Sequence, residues 1–283
     1  MQFTMLNGEI VKASQAQLHV SDLALLRGYG LFDFFRVESG VPLFLEDYFA
    51  RFYRSAEKLG LEVPVSKEEL ESLVFKLLDV NGEGDTNVRL LLTGGYSDDG
   101  FTPAEPNLIA LQHERKDYDP KLFEEGAALI THAYVRDMPE VKSTNYATAV
   151  RLIPKMKKAN AVEVLYHDEG RVAETSRANI FIVDQEGILV TPGEGILEGI
   201  TRKRILELAE DRAVETRAIS LDEVLGAQEV FITSTTKGAM PISEIDGRVI
   251  GQGRAGEVTK QLGERFAERV EAYVRNHRRT VAT

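Results

Sequence analysis

The sequence contains no cysteine, and it has no stretch that is both long and apolar. Without cysteine the chain has no disulfides, no zinc sites built on thiolates and no cysteine nucleophile. A membrane-spanning helix needs about 18 or more predominantly apolar residues, and no run approaches that length. Residues 1–14 show no basic segment followed by an apolar one, so no secretory signal peptide is visible. These absences favour a cytoplasmic location and exclude thiol chemistry.

Basic residues are in the minority and do not cluster. The chain carries 34 Lys and Arg against 45 Asp and Glu, which gives a formal net charge of −11. A nucleic-acid-binding surface needs a basic face that neutralises phosphates. We therefore expect no nucleic-acid partner and no membrane partner, and we interpret the acidic balance as a contribution to solubility.

With 283 residues, of which 43% are hydrophobic, the chain is long enough for a full core and for two domains. Strand and helix patterns are mixed along its whole length, which predicts an α/β (α+β) fold. The polar stretch between His113 and Glu125 has no clear period. It predicts an N-terminal domain over residues 1–116, an interdomain linker over 117–124 and a C-terminal domain over 125–283.

Hydrophobic periodicity predicts the individual helices and strands. Ser66 and Glu69 form a capping-box pattern in front of the apolar residues of a helix that extends to about Leu78. Further helices are predicted over residues 46–59, 146–158, 201–211 and 254–274. Strands are predicted over residues 2–12, 30–37, 87–93, 107–112, 127–135, 161–166, 179–183 and 229–233.

The segment Gly251–Gly256 matches the dinucleotide-binding pattern G-x-G-x-x-G. That pattern needs a complete βαβ unit and an acidic residue about 20 positions further on. The residues after Gly256 have room for one helix only. We interpret the match as a tight turn that opens the last helix.

Two segments have residues suited to imine chemistry. Lys142 is flanked by small polar residues just before a helix, where partial desolvation lowers the pKa of an amine and favours imine formation. Glu174 precedes an apolar strand, and a carboxylate that faces a pyridine nitrogen keeps it protonated. Taken alone, each is also compatible with a solvated surface residue.

Two other segments have residues suited to binding an anion. Gly199, Ile200 and Thr201 stand at a predicted helix start, where exposed amide groups bind phosphate. Residues 233–238 place hydroxyls and a glycine after a strand, which offers further donors. An ordinary helix cap and an ordinary polar loop would look the same.

Taken in order, these segments resemble the class IV (fold-type IV) pyridoxal-phosphate-dependent aminotransferase family. The family includes D-amino-acid aminotransferases, branched-chain aminotransferases and aminodeoxychorismate lyase. The resemblance extends from Asp22 to Leu262. It is specific because four short segments occur together in the family's order. The pieces are VKSTNY (141–146), ETSRANIF (174–181), LEGITR (197–202) and FITSTT (231–236).

The resemblance implies two mixed α/β domains with pyridoxal 5′-phosphate between them, the C-terminal domain being the cofactor-binding one. Lys142 matches the catalytic lysine that forms the Schiff base and moves the proton. Tyr146 matches a tyrosine near the phenolic oxygen, and Glu174 matches the partner of the pyridine nitrogen. Arg177 follows as a further contact on the same segment, and Leu197 matches the residue packed against the ring.

The same resemblance implies a phosphate site. Ile200 and Thr201 match the turn that holds the phosphate, and Thr235 matches a further hydroxyl. Arg51 matches the family's phosphate-binding arginine. A buried phosphate needs a compensating cation, which agrees with that match.

The substrate end departs from the family pattern. Many D-amino-acid aminotransferases bind the substrate carboxylate with an arginine and a histidine after the strand that here ends at Thr93, and residues 94–103 contain neither. Arg89, on one face of that strand, and Arg27 are the candidates to bind the carboxylate, because arginine suits bidentate recognition. Tyr29 and Thr236 are the other predicted substrate neighbours.

The resemblance therefore implies a homodimeric transaminase that exchanges an amino group between an amino acid and a 2-keto acid such as 2-oxoglutarate by a ping-pong mechanism. The pattern around residues 27–35 and 91–103 favours D-amino acids such as D-alanine or D-glutamate. A branched-chain L-amino-acid aminotransferase and an aminodeoxychorismate lyase are the alternatives. A further alternative is a binding protein that keeps the fold without catalysis. The presence of Lys142, Glu174 and Arg51 argues against it.

Overall fold

Residues 1–82 and 84–278 are described by a computed structural model, and they divide into two units. The first unit comprises Met1–Lys116, Val141–Asn145 and the C-terminal segment that begins at Ala272. The second comprises Asp117–Glu140 and Tyr146–Glu271. The two units thus differ from the predicted domains, since two segments of the predicted C-terminal domain belong to the first unit.

The strands of the first unit form one antiparallel sheet. They are β1 (Phe3–Leu6), β2 (Glu9–Lys12), β3 (Gly30–Glu38), β4 (Val41–Pro42), β5 (Thr86–Thr93) and β6 (Leu108–Glu114), in the spatial order β2-β1-β6-β5-β3-β4. The prediction of one strand over residues 2–12 is wrong. β1 and β2 form a hairpin, because Asn7 and Gly8 supply the two-residue turn typical of one.

The helices of the first unit are α1 (Leu23–Arg27), α2 (Leu45–Leu59) and α3 (Lys67–Asn81), with a 3-10 turn at Ala13–Gln15. The capping box of Ser66 and Glu69 at the start of α3 is confirmed. α2 packs on β3, and α3 packs on β1 and β6. β3 alternates accordingly: Leu31, Asp33, Phe35 and Val37 are fully buried, whereas Phe32, Phe34 and Arg36 are half-buried on the other face.

The strands of the second unit form a mixed sheet. They are β7 (Ala127–Ala133), β8 (Ala161–Asp168), β9 (Arg171–Thr175), β10 (Asn179–Val183), β11 (Leu189–Thr191), β12 (Val214–Thr216), β13 (Ile219–Ser220), β14 (Glu229–Ser234), β15 (Gly238–Ile245) and β16 (Arg248–Val249). Their order is β12-β11-β10-β14-β15-β7-β8-β9-β13, with β16 beside β15. The pairs β11/β12, β15/β7 and β7/β8 are parallel.

The remaining helices are α4 (Leu122–Glu125), α5 (Ala147–Lys158), α6 (Ile200–Leu208), α7 (Leu221–Gly226) and α8 (Glu257–His277). The predicted linker, 117–124, lies in the second unit and continues into α4. Apolar residues of β10, β14 and β15 build the core of this unit, among them Ile180, Ile232 and Met240. Within the described residues, no helix combines the length and the apolarity that crossing a membrane requires.

The glycine-rich segment 251–256 is a turn that leads into α8, as predicted. The Glu229 carboxylate caps this helix by accepting from the amides of Val258 and Thr259 at 3.0 and 2.8 Å. A Cβ at Gly256 would overlap Glu229. The motif therefore allows a carboxylate to approach the helix N-terminus, and it builds no dinucleotide site.

Candidate active site

Lys142 lies in the short segment Val141–Asn145, which pairs with β3. The Phe32 amide donates to the Lys142 carbonyl at 2.9 Å, and the Thr144 amide donates to the Gly30 carbonyl at 2.9 Å. The Lys142 side chain is half-buried, and its Nζ lies 4.7 Å from the centroid of the Phe32 ring, within cation–π distance. The backbone of this lysine is thus fixed to a sheet, and its amine lies over an aromatic ring.

Arg89 contacts the same ring. Its guanidinium carbon lies 5.5 Å from the centroid of Phe32 and 5.5 Å from that of Phe34, the residue opposite Arg89 on β3. Arg89 is half-buried. The structure therefore brings this predicted substrate residue and Lys142 to one aromatic side chain.

The other predicted substrate residues of the first unit have different surroundings. Arg27, at the end of α1, is exposed, and its Nη1 donates to the Leu26 carbonyl at 3.0 Å. The Tyr29 hydroxyl donates to the carbonyl of Leu59, at the end of α2. Substrate contacts of Arg27 and Tyr29 stay predictions.

Arg51 is buried in α2 and forms an ion pair with Asp33 of β3. Asp33 and Phe32 are successive residues of one strand, so their side chains point to opposite faces of the sheet. Arg51 therefore lies on the helix-covered face, whereas the Lys142 amine lies over a ring of the other face. A phosphate contact of Arg51 stays a prediction.

In the second unit, Glu174 at the end of β9 is the centre of a buried network. Its Oε1 accepts from Arg136 Nη1. Its Oε2 accepts from the Leu197 amide at 3.1 Å and from the Asn179 amide group at 3.2 Å. Asn179 also donates to the Leu197 carbonyl at 2.8 Å. Arg136, Asn179 and the Leu197 amide thus orient this carboxylate, and Glu174 is 4% exposed.

Tyr146 precedes α5 and lies near the same network. Burial raises the pKa of its hydroxyl. The charge of Arg136 lowers this pKa, and the charges of Glu174 and Glu163 raise it further. The hydroxyl is therefore protonated at neutral pH. Burial alone would lower the pKa of Arg136, but the adjacent Glu174 outweighs burial and raises it. Sequence reasoning missed Arg136, whose charge influences the pKa of Tyr146 and which is hydrogen-bonded to Glu174.

The start of α6 has the features of an anion site. Gly199 is the N-cap residue and makes no side-chain cap, so the first amides of the helix have no side-chain acceptor there. A Cβ at Gly199 would overlap the amide oxygen of Asn179. Ile200 and Thr201 are buried behind it, and the Leu197 side chain is buried as well.

The turn between β14 and β15 carries several hydroxyls. Among the described residues, the buried hydroxyl oxygens of Thr233 and Ser234 have no hydrogen-bond partner. Thr235 and Thr236 follow and are half-buried. A ligand with several acceptor oxygens would satisfy such donors.

Sequence reasoning missed a second buried carboxylate, Glu163 of β8, which is 0% exposed. Its Oε1 is 2.8 Å from Lys237 Nζ and 2.9 Å from Arg177 Nη2, and its Oε2 accepts from the Ser176 hydroxyl. The structure thus pairs Arg177, predicted as a contact near Glu174, with Glu163. A charged residue inside the apolar strand AVEVLY was the one signal available in the sequence.

Comparisons with known proteins point to one family. The family model described as amino-transferase class IV matches residues 30–245. A putative branched-chain-amino-acid aminotransferase of Methanocaldococcus jannaschii is 36% identical over 93% of this chain and 94% of its own length. A D-alanine aminotransferase of Bacillus licheniformis is 31% identical over 91% of this chain and 93% of its own length.

Solved structures show the same fold. A T.th. branched-chain amino acid aminotransferase with pyridoxamine 5′-phosphate superposes with a TM-score of 0.89. It is 30% identical, and the match covers 96% of this chain and 94% of that one.

Proposed function

Since the chain belongs to the class IV aminotransferase family, we propose that it transfers amino groups between D-amino acids, such as D-alanine or D-glutamate, and a 2-keto acid such as 2-oxoglutarate. The family uses pyridoxal 5′-phosphate, and its substrates are amino acids and keto acids. The observation that carries the transamination part of this proposal is the Glu174 carboxylate, which is buried and oriented by Arg136, Asn179 and the Leu197 amide.

The residues present fit the cofactor. An oriented carboxylate suits a protonated pyridine nitrogen, and the buried hydroxyls of Thr233 and Ser234 need acceptors of the kind that a phosphate offers. Glu174 would hold the ring nitrogen, and Tyr146 the phenolic oxygen. Leu197 would pack against the ring. Ile200, Thr201 and Thr235 would hold the phosphate, and Lys142 would hold the aldehyde carbon.

When bound, pyridoxal 5′-phosphate supplies an electron sink for the charge that remains when a substrate loses its Cα proton. The Lys142 amine is the group that takes up that proton at Nζ and returns it. Lys142 is suited to this role because its backbone is fixed to β3 while its side chain remains half-buried. Glu174 would keep the ring nitrogen protonated, which would maintain the electron sink.

For the substrate carboxylate, the geometry favours Arg89 over Arg27. Arg89 and Lys142 both contact the Phe32 ring, so a carboxylate on the guanidinium would bring the neighbouring Cα towards the amine. Arg27 is exposed and donates to a backbone carbonyl. An unchanged KM in both Arg89→Ala and Arg27→Ala, across several substrates, would contradict a carboxylate contact for either arginine.

The preference for D-amino acids is supported by the D-alanine aminotransferase relative of Bacillus licheniformis. The alternative is a branched-chain L-amino-acid aminotransferase. It is favoured by the relative from Methanocaldococcus jannaschii and by the T.th. structure. The substrate stereochemistry therefore has to be measured directly.

The decisive measurement compares keto-acid formation from D-alanine or D-glutamate with that from L-leucine, each with 2-oxoglutarate. We expect faster turnover of the D-amino acids; faster turnover of L-leucine would establish the alternative. Lys142→Ala should lower kcat by at least about 10³-fold in either case. Lys157→Ala, at an exposed lysine of α5, is the matched control and should retain full turnover.

We also propose that the chain forms a homodimer through the first unit. Exposed apolar side chains lie on α1 and on the loops before α1 and after β5: Val20, Leu25 and Phe101 are 68%, 70% and 77% exposed. The loops are tied together by the Ser97 amide, which donates to the Ser21 carbonyl at 3.1 Å. Such a patch is typical of a protein–protein interface. Leu25→Glu should shift the sedimenting species from dimer to monomer, and a wild-type monomer would contradict the proposal.

A further inference from the structure

Glu163 receives its donors from two turns, and both turns carry predicted cofactor contacts. Ser176 and Arg177 stand between β9 and β10, two and three residues after Glu174. Lys237 stands between β14 and β15, directly after Thr235 and Thr236. One buried carboxylate therefore connects the turn predicted to serve the pyridine ring with the turn predicted to serve the phosphate.

These two turns lie at the same end of neighbouring strands. β10 and β14 are antiparallel neighbours, and Asn179 at the start of β10 pairs with Thr233 near the end of β14. The turn after β14 is closed by the Lys237 amide, which donates to the Ser234 carbonyl at 3.2 Å. The β14–β15 ladder pairs Ser234 with Gly238 at the base of the turn, and the side-chain contacts of Lys237 add to this backbone pairing.

Lys237 is the residue that anchors the turn. Its side chain is 2% exposed, its Nζ lies 2.8 Å from the Glu163 carboxylate, and it lies 5.2 Å from the centroid of the Tyr118 ring. Burial acts to raise the pKa of Glu163, but the charges of Lys237 and Arg177 outweigh burial and lower it. Glu163 is thus ionised at neutral pH, and the Lys237 charge is engaged inside the protein.

We propose that the Glu163–Lys237 ion pair is a positioning device that holds the turn carrying Thr235 in the orientation required for the cofactor phosphate. The inference rests on the proposed function, because it presumes that this turn contacts the phosphate. Lys237 itself contacts neither cofactor nor substrate in this proposal. It acts through the turn, so its loss should weaken the phosphate contact selectively.

The test compares the affinity of the full-length apoprotein for pyridoxal 5′-phosphate with its affinity for pyridoxal, which lacks the phosphate. Both dissociation constants are measured by absorbance titration. Lys237→Met should raise the dissociation constant for pyridoxal 5′-phosphate by about 10-fold to 100-fold. An effect of this size is typical when a residue that supports a ligand-binding residue is removed. The dissociation constant for pyridoxal should change by less than about twofold, because pyridoxal has no phosphate for the turn to contact.

A purely structural role of Lys237 would weaken the binding of both compounds alike, so equal losses would overturn the proposal. Unchanged affinity for both compounds would also overturn it. Lys260→Met, at an exposed lysine of α8, is the matched control and should leave both constants unchanged. The double variant Glu163→Gln with Lys237→Met should lose no more phosphate-dependent affinity than Glu163→Gln alone, and additive losses would contradict a shared role.

Should Lys237→Met fail to fold, Lys237→Arg is measured instead, since it keeps the charge and changes the geometry of the contact. Lys237→Arg should then lower the ratio of the affinity for pyridoxal 5′-phosphate to the affinity for pyridoxal. An unchanged ratio would overturn the inference. A wild-type chain that binds no pyridoxal 5′-phosphate would overturn the proposed function. A wild-type chain that binds it, combined with Lys237 variants that behave like wild type, would overturn the positioning role alone.

Discussion

Arg51 and Asp33 form a two-point ion pair inside the first unit. Arg51 Nε donates to Asp33 Oδ2 at 2.9 Å, and Arg51 Nη2 donates to Asp33 Oδ1 at 2.6 Å. The two side chains are 5% and 0% exposed. The pair joins α2 to β3, and it accounts for a charged residue in the middle of the apolar sequence GLFDFF.

Asp33→Asn should strongly destabilise the protein. Arg51 would lose both of its contacts with the Asp33 carboxylate, and breaking a buried ion pair typically costs about 3–5 kcal/mol. The free energy of unfolding from urea denaturation measures the effect. Arg171→Gln is the control, because Arg171 and Glu194 form an exposed pair, and it should change stability by less than about 1 kcal/mol. Equal stability of Asp33→Asn and wild type would contradict the prediction.

Arg136→Gln should destabilise the second unit. The Arg136 and Glu174 side chains are 13% and 6% exposed, and the substitution would remove the positive charge that lies next to the buried Glu174 carboxylate. We expect a loss of roughly 3 kcal/mol in the free energy of unfolding.

Arg217→Gln provides the control for Arg136, because Arg217 pairs with two exposed glutamates, Glu215 and Glu223. Its effect should stay below about 1 kcal/mol. Losses of equal size in the two variants would show that the buried network contributes no more than surface pairs do.

Gly199→Ala should disturb the site through Asn179. The added Cβ would overlap the Asn179 amide oxygen, so this side chain must move and lose its bonds to Glu174 and to the Leu197 carbonyl. The loss of buried hydrogen bonds predicts a cost of about 1–3 kcal/mol in thermal unfolding, together with weaker binding of pyridoxal 5′-phosphate.

The matched control for Gly199 is Gly226→Ala at the end of α7, where an added Cβ meets nothing within 4 Å. It should be neutral or stabilising by up to about 1 kcal/mol. Wild-type cofactor affinity in Gly199→Ala would refute the close approach of Asn179.

The pair Asp211 and Arg265 should make stability depend on acid pH. Arg265 donates to both Asp211 oxygens, at 2.8 and 2.7 Å. These bonds lower the pKa of Asp211 from 3.8 to about 2. In the unfolded chain the pKa returns to its ordinary value, so the contribution is complete above about pH 4 and is lost as the pH falls through about 2.

Asp211→Asn should therefore lower Tm near neutral pH, and the difference from wild type should vanish as the pH approaches 2. Asp98→Asn is the control: Asp98 is exposed and forms no ion pair among the described residues. Its Tm should follow wild type at every pH. A deficit of Asp211→Asn that stays constant across this range would exclude the titration of Asp211 as its cause.

Elements with strong local signals were predictable from the sequence. α3 follows the Ser66 capping box, and the predicted strand over residues 179–183 agrees with β10. The hairpin of β1 and β2 was missed, because the apolar residues on both sides of Asn7-Gly8 were interpreted as one strand. The sequence prediction assigns Val141–Asn145 to the C-terminal domain, whereas the structure pairs this segment with β3. The pairing joins positions more than 100 residues apart, so no local pattern indicates it.

The same division applies to the candidate site. The sequence by itself determined the family and the order of the candidate cofactor-binding residues along the chain. This was possible because Lys142, Glu174, Thr201 and Thr235 stand in recognisable local motifs. Only the tertiary structure decided which side chains support them. Arg136 bonds to Glu174 across 38 positions, and Lys237 bonds to Glu163 across 74. Such partners share no sequence pattern, because they are brought together by the pairing of distant strands and by the need of a buried charge for a counter-charge.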